Sequence, residues 1–584
     1  MGQNHRRRGL RFSPEGRFSC GVSLRKAHGG LADIYHYCGA KEAKGYMDRI
    51  TGWAEKNIPR DKAYCDVTGA MTGEWYTLAE NLYRVYIFTG DERYKRFARV
   101  WEYTRWWTEI HDGDLEGVYS RPGWHHAYSH VNTFASCAAA YAAGGGSRYL
   151  DTLKKAYDFV QKEQCFATGG FGAAENLPAR PGVVSAAKTC HNTFETQCGS
   201  WAGFKLTKYL TGFTGEARYG DWSEKLLING IGASLPTDGY GNTFYYSDYS
   251  AEGGLKALKP DMGGWPCCSG TRAEAVADYH DQLYYYDEDN VYISQFFASR
   301  AELELKAGKV AVEQSGGFPE EEKTTVTVDP EKPAVFGVCF RIPAWARKGV
   351  FAEVNGRKTE YEKKAGWGCI RRRWSPGDRL EILFPMDLWP CFLFDDEKNP
   401  YVVMYGPVAL VCEGQDNNPF RLIDPRRLTE QFAKEEGMAW RLREHPGYVF
   451  RPFYALKEFD SYYMYIGDPA EYRMGAVFKG GWIRHEWGML TGTPGIYAEK
   501  RFWGKGVRIT AVRTADSGIA DVYIDGRKAG EADLFAPVPY EKKAFEFFAP
   551  EKGKHTVRVV TGGRRNPASS GELCIIDRIE DIYN

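Results

Sequence analysis

Two periodicities divide the chain. From about residue 25 to residue 285, apolar positions recur at three and four, the spacing that gives an α-helix one buried face. Residues 73–89 (GEWYTLAENLYRVYIFT), 92–107, 131–143, 149–163, 198–210 and 219–229 carry this pattern, and several end in Thr-Gly or Gly-Gly, the signal of a helix C-cap. Helices joined by short Gly-rich turns predict a closed toroid of antiparallel pairs around a central cavity. An open helical repeat is the alternative, because no strict repeat period is visible. After about residue 286 the period changes to two. Residues 291–297, 301–306, 324–328, 335–342, 379–384 and 401–412 read as strands, separated by turn clusters such as Asn355-Gly356 and Ser375-Pro376-Gly377-Asp378. They predict a β-sandwich. From about residue 470 a third region alternates at 507–512, 519–524 and 555–560, with Asp525-Gly526 as a hairpin turn. The expected organisation is a helical domain at 1–285, β-sandwich structure at 286–469 and a second sandwich at 470–584.

At 584 residues the chain is too long for one core, which agrees with this division. Lys plus Arg and Asp plus Glu both number 76, so no general electrostatic footprint for nucleic acid is present. Aromatic residues make up 15%, with 17 Trp and 38 Tyr, and rings of this kind stack on the apolar faces of sugars as well as filling cores. No stretch approaches the ~18 uninterrupted apolar residues of a membrane span, and no apolar segment follows the charged N-terminus. The expectation is a soluble, cytoplasmic protein with no membrane partner. The 14 cysteines are scattered over a long chain, which predicts reduced thiols rather than a disulfide framework. A homo-oligomer is left open.

Three constellations in the helical half could carry chemistry. The first is Cys267-Cys268, which follows a Gly-Gly-Trp265-Pro turn and precedes a helical pattern at 271–286. A helix N-terminus favours a thiolate, so this is a place for reactive or metal-bound sulfur, although buried structural cysteines read equally well. With Glu195 and Cys198 the pair makes three thiols and a carboxylate, a plausible tetrahedral zinc set whose spacing is not that of a zinc finger. The second is Thr168-Gly169-Gly170-Phe171-Gly172-Ala173-Ala174-Glu175, a Gly-rich loop that could present Glu175 to a cavity or leave it solvated. The third runs from Trp124 to Thr133. Its histidines, His125, His126 and His130, could bind metal but lack the HExxH form. Hydrogen bonding to sugar hydroxyls by His130 and Asn132 suits the segment at least as well, and a structural histidine is the alternative.

These motifs resemble the β-L-arabinofuranosidases of glycoside hydrolase family 127 and its sister family 146. The resemblance is carried by the Cys267-Cys268 pair, the Thr-Gly-Gly…Glu175 loop and His130-x-Asn132-Thr133. Further along it is carried by Arg341-Ile342-Pro343-Ala344-Trp345, Trp374-Ser375-Pro376-Gly377-Asp378, Tyr405-Gly406-Pro407 and Arg451-Pro452-Phe453-Tyr454, in the same order as in those proteins. It implies an N-terminal (α/α)6 barrel followed by β-sandwich domains, the last of them an appended module that binds carbohydrate. It also implies a retaining exo-glycosidase acting on a β-L-arabinofuranoside or related sugar. In that reading Cys267 is the nucleophile and Glu175 the acid/base. Glu195, Cys198, Cys267 and Cys268 hold Zn2+, and His126, His130, Asn132 and Trp265 line the substrate site.

The chain departs from this family at one ligand. The family has Glu-Thr-Cys, whereas Glu195-Thr196-Gln197-Cys198 carries one more residue between carboxylate and thiol. On a regular helix positions three apart share a face, so Glu195 rather than Thr196 is expected as the oxygen ligand. Ser269-Gly270 also stands where the family often carries prolines. A reading from another class is a catalytically altered carbohydrate-binding protein on the same scaffold. Retention of a carboxylate and a thiolate favours the enzyme, because a binder needs neither.

Overall fold

The computed structural model describes residues 19–57, 74–119, 125–235, 241–256, 267–414, 418–467, 476–485 and 488–582. Its N-terminal half is an (α/α)6-type helical barrel. Helices Ala127–Ala142 and Thr196–Thr214 are buried along most of their length and pack on each other. Each is apolar or small on nearly every side, as an interior helix must be. The helix Cys267–Asp278 packs on Thr196–Thr214, which brings distant cysteines together. Helices Ala79–Thr89 and Thr196–Thr214 stop at Gly90 and Gly215, whose φ values of 70° and 69° suit glycine at a left-handed C-cap.

Two helical readings of the sequence break in the structure. Residues 92–107 form two helices, Glu92–Arg99 and Thr104–Asp112, because Trp101 and Tyr103 between them turn into the core at 2% exposure each. Residues 271–286 leave the helical state before their end: Tyr284–Tyr286 is a strand antiparallel to Asn290–Ile293. Consecutive tyrosines suit a pleated surface better than a helix.

The first sandwich consists of a six-stranded and a five-stranded sheet. Beyond it an eight-stranded sheet lies between the sandwich and the barrel. The run at 401–412 is a hairpin in this sheet, Tyr401–Tyr405 and Val408–Glu413, turning at Gly406-Pro407. Val402, Met404, Ala409 and Val411 join the barrel core, whereas Val403, Tyr405, Val408 and Leu410 join the sandwich core. Both faces are covered, which explains why this segment is continuously apolar. The barrel even contributes a strand to the sheet, since Gly254–Leu255 pairs with Ser461–Tyr463.

The C-terminal unit is one continuous sheet in which the long strands Tyr497–Arg513 and Tyr540–Arg565 are bent at bulges near Gly504/Gly506 and Ile509/Thr510. It closes over its own core of Phe502, Val507, Ile509, Val522, Val557 and Ile576. Lys552 meets Glu116 of the barrel at 2.7 Å.

A buried ion cluster joins barrel to sandwich. Arg341, fully enclosed, pairs with Asp221, reaches Glu224 at 2.5 Å and donates to the Ser294 carbonyl at 2.7 Å. Trp345 donates to the second Glu224 oxygen at 2.6 Å. Nearby, Cys339 and Cys369 stand opposite each other on adjacent antiparallel strands and form a disulfide, Cα to Cα 4.0 Å. The expectation of reduced thiols throughout is therefore corrected at this pair, which the strand register makes neighbours although 30 residues separate them. Arg341→Leu leaves Glu224 buried without its cation and is expected to destabilise the fold by about 3–5 kcal/mol in denaturant titration.

Candidate active site

The site is built on one short ladder. Phe194–Glu195 pairs antiparallel with Tyr246–Ser247, setting Glu195 opposite Tyr246. Tyr245 immediately precedes this strand, and its ring meets that of Tyr246 edge-on, centroids 4.6 Å apart. Tyr245 donates to Glu195 Oε1 at 3.3 Å and lies 3.6 Å from Cys267 Sγ. Tyr246 donates a short hydrogen bond to Glu175.

Phe194 anchors the ladder from below. A Cβ on Gly199 would stand 2.3 Å from the Phe194 ring, and one on Gly170 would stand 2.8 Å from it. The Gly-rich loop thus lets backbone close over Phe194. It then carries Glu175 into the site through Gly172, Ala174 and Glu175, all in the left-handed region at φ 84°, 50° and 60°. Left-handed conformations at alanine and glutamate are strained and persist where surrounding structure holds them.

Glu195, Cys198, Cys267 and Cys268 each direct one donor atom into a cluster in which all four atoms lie within 4.8 Å of one another. Glu195 Oε1 is 3.4 Å from Cys267 Sγ and 3.8 Å from Cys268 Sγ, and Cys198 Sγ lies 3.7 and 3.6 Å from the same two sulfurs. Cys198, Cys268 and Glu195 are buried, while Cys267 is exposed. Three soft sulfurs and one oxygen at these separations are a donor set that could hold a tetrahedral metal ion. Hydrogen bonds from Cys198 and Cys268 pull Cys267 below the usual thiol range, whereas burial pushes those two thiols well up. Burial also raises Glu195, to about 7, against the pull of His126.

The additional residue in Glu195-Thr196-Gln197-Cys198 is absorbed where strand becomes helix. Glu195 precedes the helix with extended φ/ψ of −73° and 92°, so helical spacing does not govern its direction. Thr196 Oγ1 is 2.8 Å from Ser247 Oγ, and Gln197 Nε2 donates to Thr243 Oγ1 at 3.1 Å, so both turn away from the sulfurs.

Of the histidine segment, His126 reaches the cluster. Its Nε2 is 2.9 Å from Glu195 Oε2 and 3.8 Å from Glu175 Oε2, and its Nδ1 is 3.0 Å from Glu74 Oε1. Burial opposes charge on the ring, but Glu195 and Glu74 outweigh it and raise His126 to about 10. His130 is 4% exposed beneath the rings of Tyr76, Tyr103 and Trp106, with Nδ1 2.9 Å from the His126 carbonyl oxygen. Asn132 is 1% exposed in the same helix, and among the described residues neither of its side-chain polar atoms is bonded. Trp265 lies outside the described residues. The sequence reading missed Glu74, Tyr245 and Tyr246. Glu74 sits at the start of an amphipathic pattern, and Tyr-Tyr is common in this aromatic chain, so neither carried a signal.

Residues 12–281 match the β-L-arabinofuranosidase GH127 catalytic domain, and residues 290–386 match the GH127 middle domain. The chain belongs to glycoside hydrolase family 127. Solved structures of this family share the fold of this GH127 chain. One, a GH127 β-arabinofuranosidase, superposes with a TM-score of 0.58 at 20% identity over 76% of both chains. Another, a GH127 β-L-arabinofuranosidase from Geobacillus stearothermophilus T6, has a TM-score of 0.54 at 14% identity over 97% of this chain and 82% of its own. Two curated relatives from Flavonifractor plautii match a short part of the GH127 chain. An A type blood α-D-galactosamine galactosaminidase is 33% identical over 96 residues, 16% of this chain and 8% of its own length. An A type blood N-acetyl-α-D-galactosamine deacetylase is 32% identical over 91 residues, 14% of this chain and 12% of its own. The chain thus spans only a small fraction of either. Among the described residues of this GH127 chain, no helix is long and apolar enough to cross a membrane.

The seat of Phe194 gives a direct test. Gly199→Ala is expected to destabilise the protein by about 1–3 kcal/mol through overpacking against that ring. Gly212→Ala, in the same helix with no heavy atom within 4 Å, is expected to leave stability unchanged or raise it by up to about 1 kcal/mol. Chemical denaturation of the two variants side by side reads the difference.

Proposed function

We propose that this chain is a retaining exo-glycosidase acting on a β-L-arabinofuranoside or a closely related sugar, with Cys267 as nucleophile and Glu175 as acid/base. The observation that carries the reading is the Glu195/Cys198/Cys267/Cys268 cluster lying beside Glu175, with one imidazole ring, that of His126, reaching both. The β-arabinofuranosidase activity of the solved family 127 relatives supports the sugar.

In the first step the Cys267 sulfur attacks the anomeric carbon, forming a C–S bond as the glycosidic C–O bond breaks, and Glu175 gives its proton to the departing oxygen. In the second step Glu175 takes a proton from water, whose oxygen attacks the same carbon while the C–S bond breaks and Cys267 leaves as thiolate. Two displacements at one carbon retain configuration. Tyr246, donating to Glu175, holds the carboxyl in line for both proton transfers. Zn2+ bound by Glu195, Cys198, Cys267 and Cys268 would keep the sulfurs deprotonated and make the Cys267 sulfur a better leaving group. His126 faces the space between Glu175 and Glu195 with both ring nitrogens engaged, and we assign the face of its ring, with Trp265, to sugar contact. His130 and Asn132 act from behind it in the wall.

Two variants test the roles. Glu175→Ala is expected to depress hydrolysis of sugars with poor leaving groups by about 100-fold or more, and of activated aryl glycosides far less. Equal losses on both would assign Glu175 to binding. Cys267→Ser is expected to abolish turnover while sugar binding persists, and an electrophilic furanoside such as a cyclophellitol-type epoxide to label Cys267 in the parent chain. Mass spectrometry finding the adduct elsewhere would overturn the nucleophile. Sugar binding with no turnover by the parent chain would favour the carbohydrate-binding alternative.

A further inference from the structure

Glu195 has no helix to aim it, so something else must choose which of its oxygens faces the sulfurs. Oε1 faces Cys267 and Cys268, and Oε2 meets His126 Nε2 at 2.9 Å. The opposite nitrogen of the same ring, Nδ1, stands 3.0 Å from Glu74 Oε1. Glu74 is itself confined. It has a left-handed backbone at φ 47°, and its second oxygen is 3.7 Å from Arg25, a buried guanidinium. Arg25 is held by Thr77 Oγ1 at 3.2 Å, by Tyr128 Oη at 3.1 Å and by the Trp201 ring, 5.1 Å from its Cζ. The chain of contacts runs from an enclosed arginine through a carboxylate and an imidazole to one oxygen of the cluster carboxylate.

We propose that Glu74 and His126 form a positioning relay that makes Glu195 a one-oxygen donor to the thiol cluster. Glu74 fixes the ring by accepting from Nδ1–H. The ring occupies Oε2 through Nε2–H. Only Oε1, steadied by Tyr245, is then presented to the sulfurs. Outer partners of this kind orient the donors of metal sites, and their loss typically weakens metal binding by about 10- to 100-fold. The relay explains how the additional Gln197 is tolerated: direction comes from hydrogen bonds outside the Glu195–Cys198 segment. The inference rests on the metal reading proposed above.

The test uses the full chain, metal-free and then loaded with Co2+ or Zn2+, read by cobalt absorption and by chelator competition. Glu74→Ala is expected to weaken Zn2+ binding by about tenfold or more and to shift the cobalt ligand-field bands, because Glu195 gains freedom to turn. Glu74→Gln, whose amide oxygen still accepts from Nδ1–H, is expected to restore both. His126→Ala should match Glu74→Ala, and the double variant should be no worse than either, as members of one relay are not additive. Unchanged affinity and spectrum in Glu74→Ala, or additive losses in the double variant, would overturn the relay while leaving the metal reading intact. If the parent chain takes up neither metal, the metal reading fails and the relay with it. Circular dichroism of each metal-free variant separates loss of fold from loss of orientation, and Glu74→Gln decides the matter should Glu74→Ala not fold.

Discussion

Gathering three thiols and a carboxylate within 4.8 Å in a largely enclosed site concentrates groups that repel one another once ionised. A cation is the simplest partner for such a cluster. The rest of the helical barrel reads as the machinery that keeps the donors together without one turn of chain supplying them all. Glu195 comes from a two-residue strand, Cys198 from the first turn of a long interior helix, and Cys267 and Cys268 from the start of another. Packing between those helices sets the sulfur separations, and the Phe194 seat sets the carboxylate.

The β structure beyond the barrel takes part in this rigidity. The hairpin Tyr401–Glu413 sends alternate residues into the barrel core and the sandwich core, and the enclosed Arg341 bonds to carboxylates on a barrel helix. Buried, charged and well-packed contacts of this kind oppose the sliding that a polar interdomain surface would permit.

Much of this was legible in the residues. The change of period near residue 286 follows from geometry alone, since helix and strand bury different spacings. Cys267-Cys268 and the Glu175 loop were found because cysteine pairs and glycine runs are rare enough to be noticed. Glu74 and the tyrosines were not, since their meaning lies in where other segments fold onto them. The spacing argument for Glu195 assumed that it lies on a helix, whereas the helix begins one residue later. The disulfide was hidden for the same kind of reason: Cys339 and Cys369 become neighbours only through strand register.

The adjacency of Tyr245 and Tyr246 bears on how such a site can change over time. One tyrosine touches Cys267 and its immediate neighbour touches Glu175, and the second of them opens a strand only two residues long. Any shift of that strand moves both groups at once. Variation that tunes one half of the site is thereby channelled into side-chain replacement, while insertions and deletions are pushed outward, into the turns that flank the ladder.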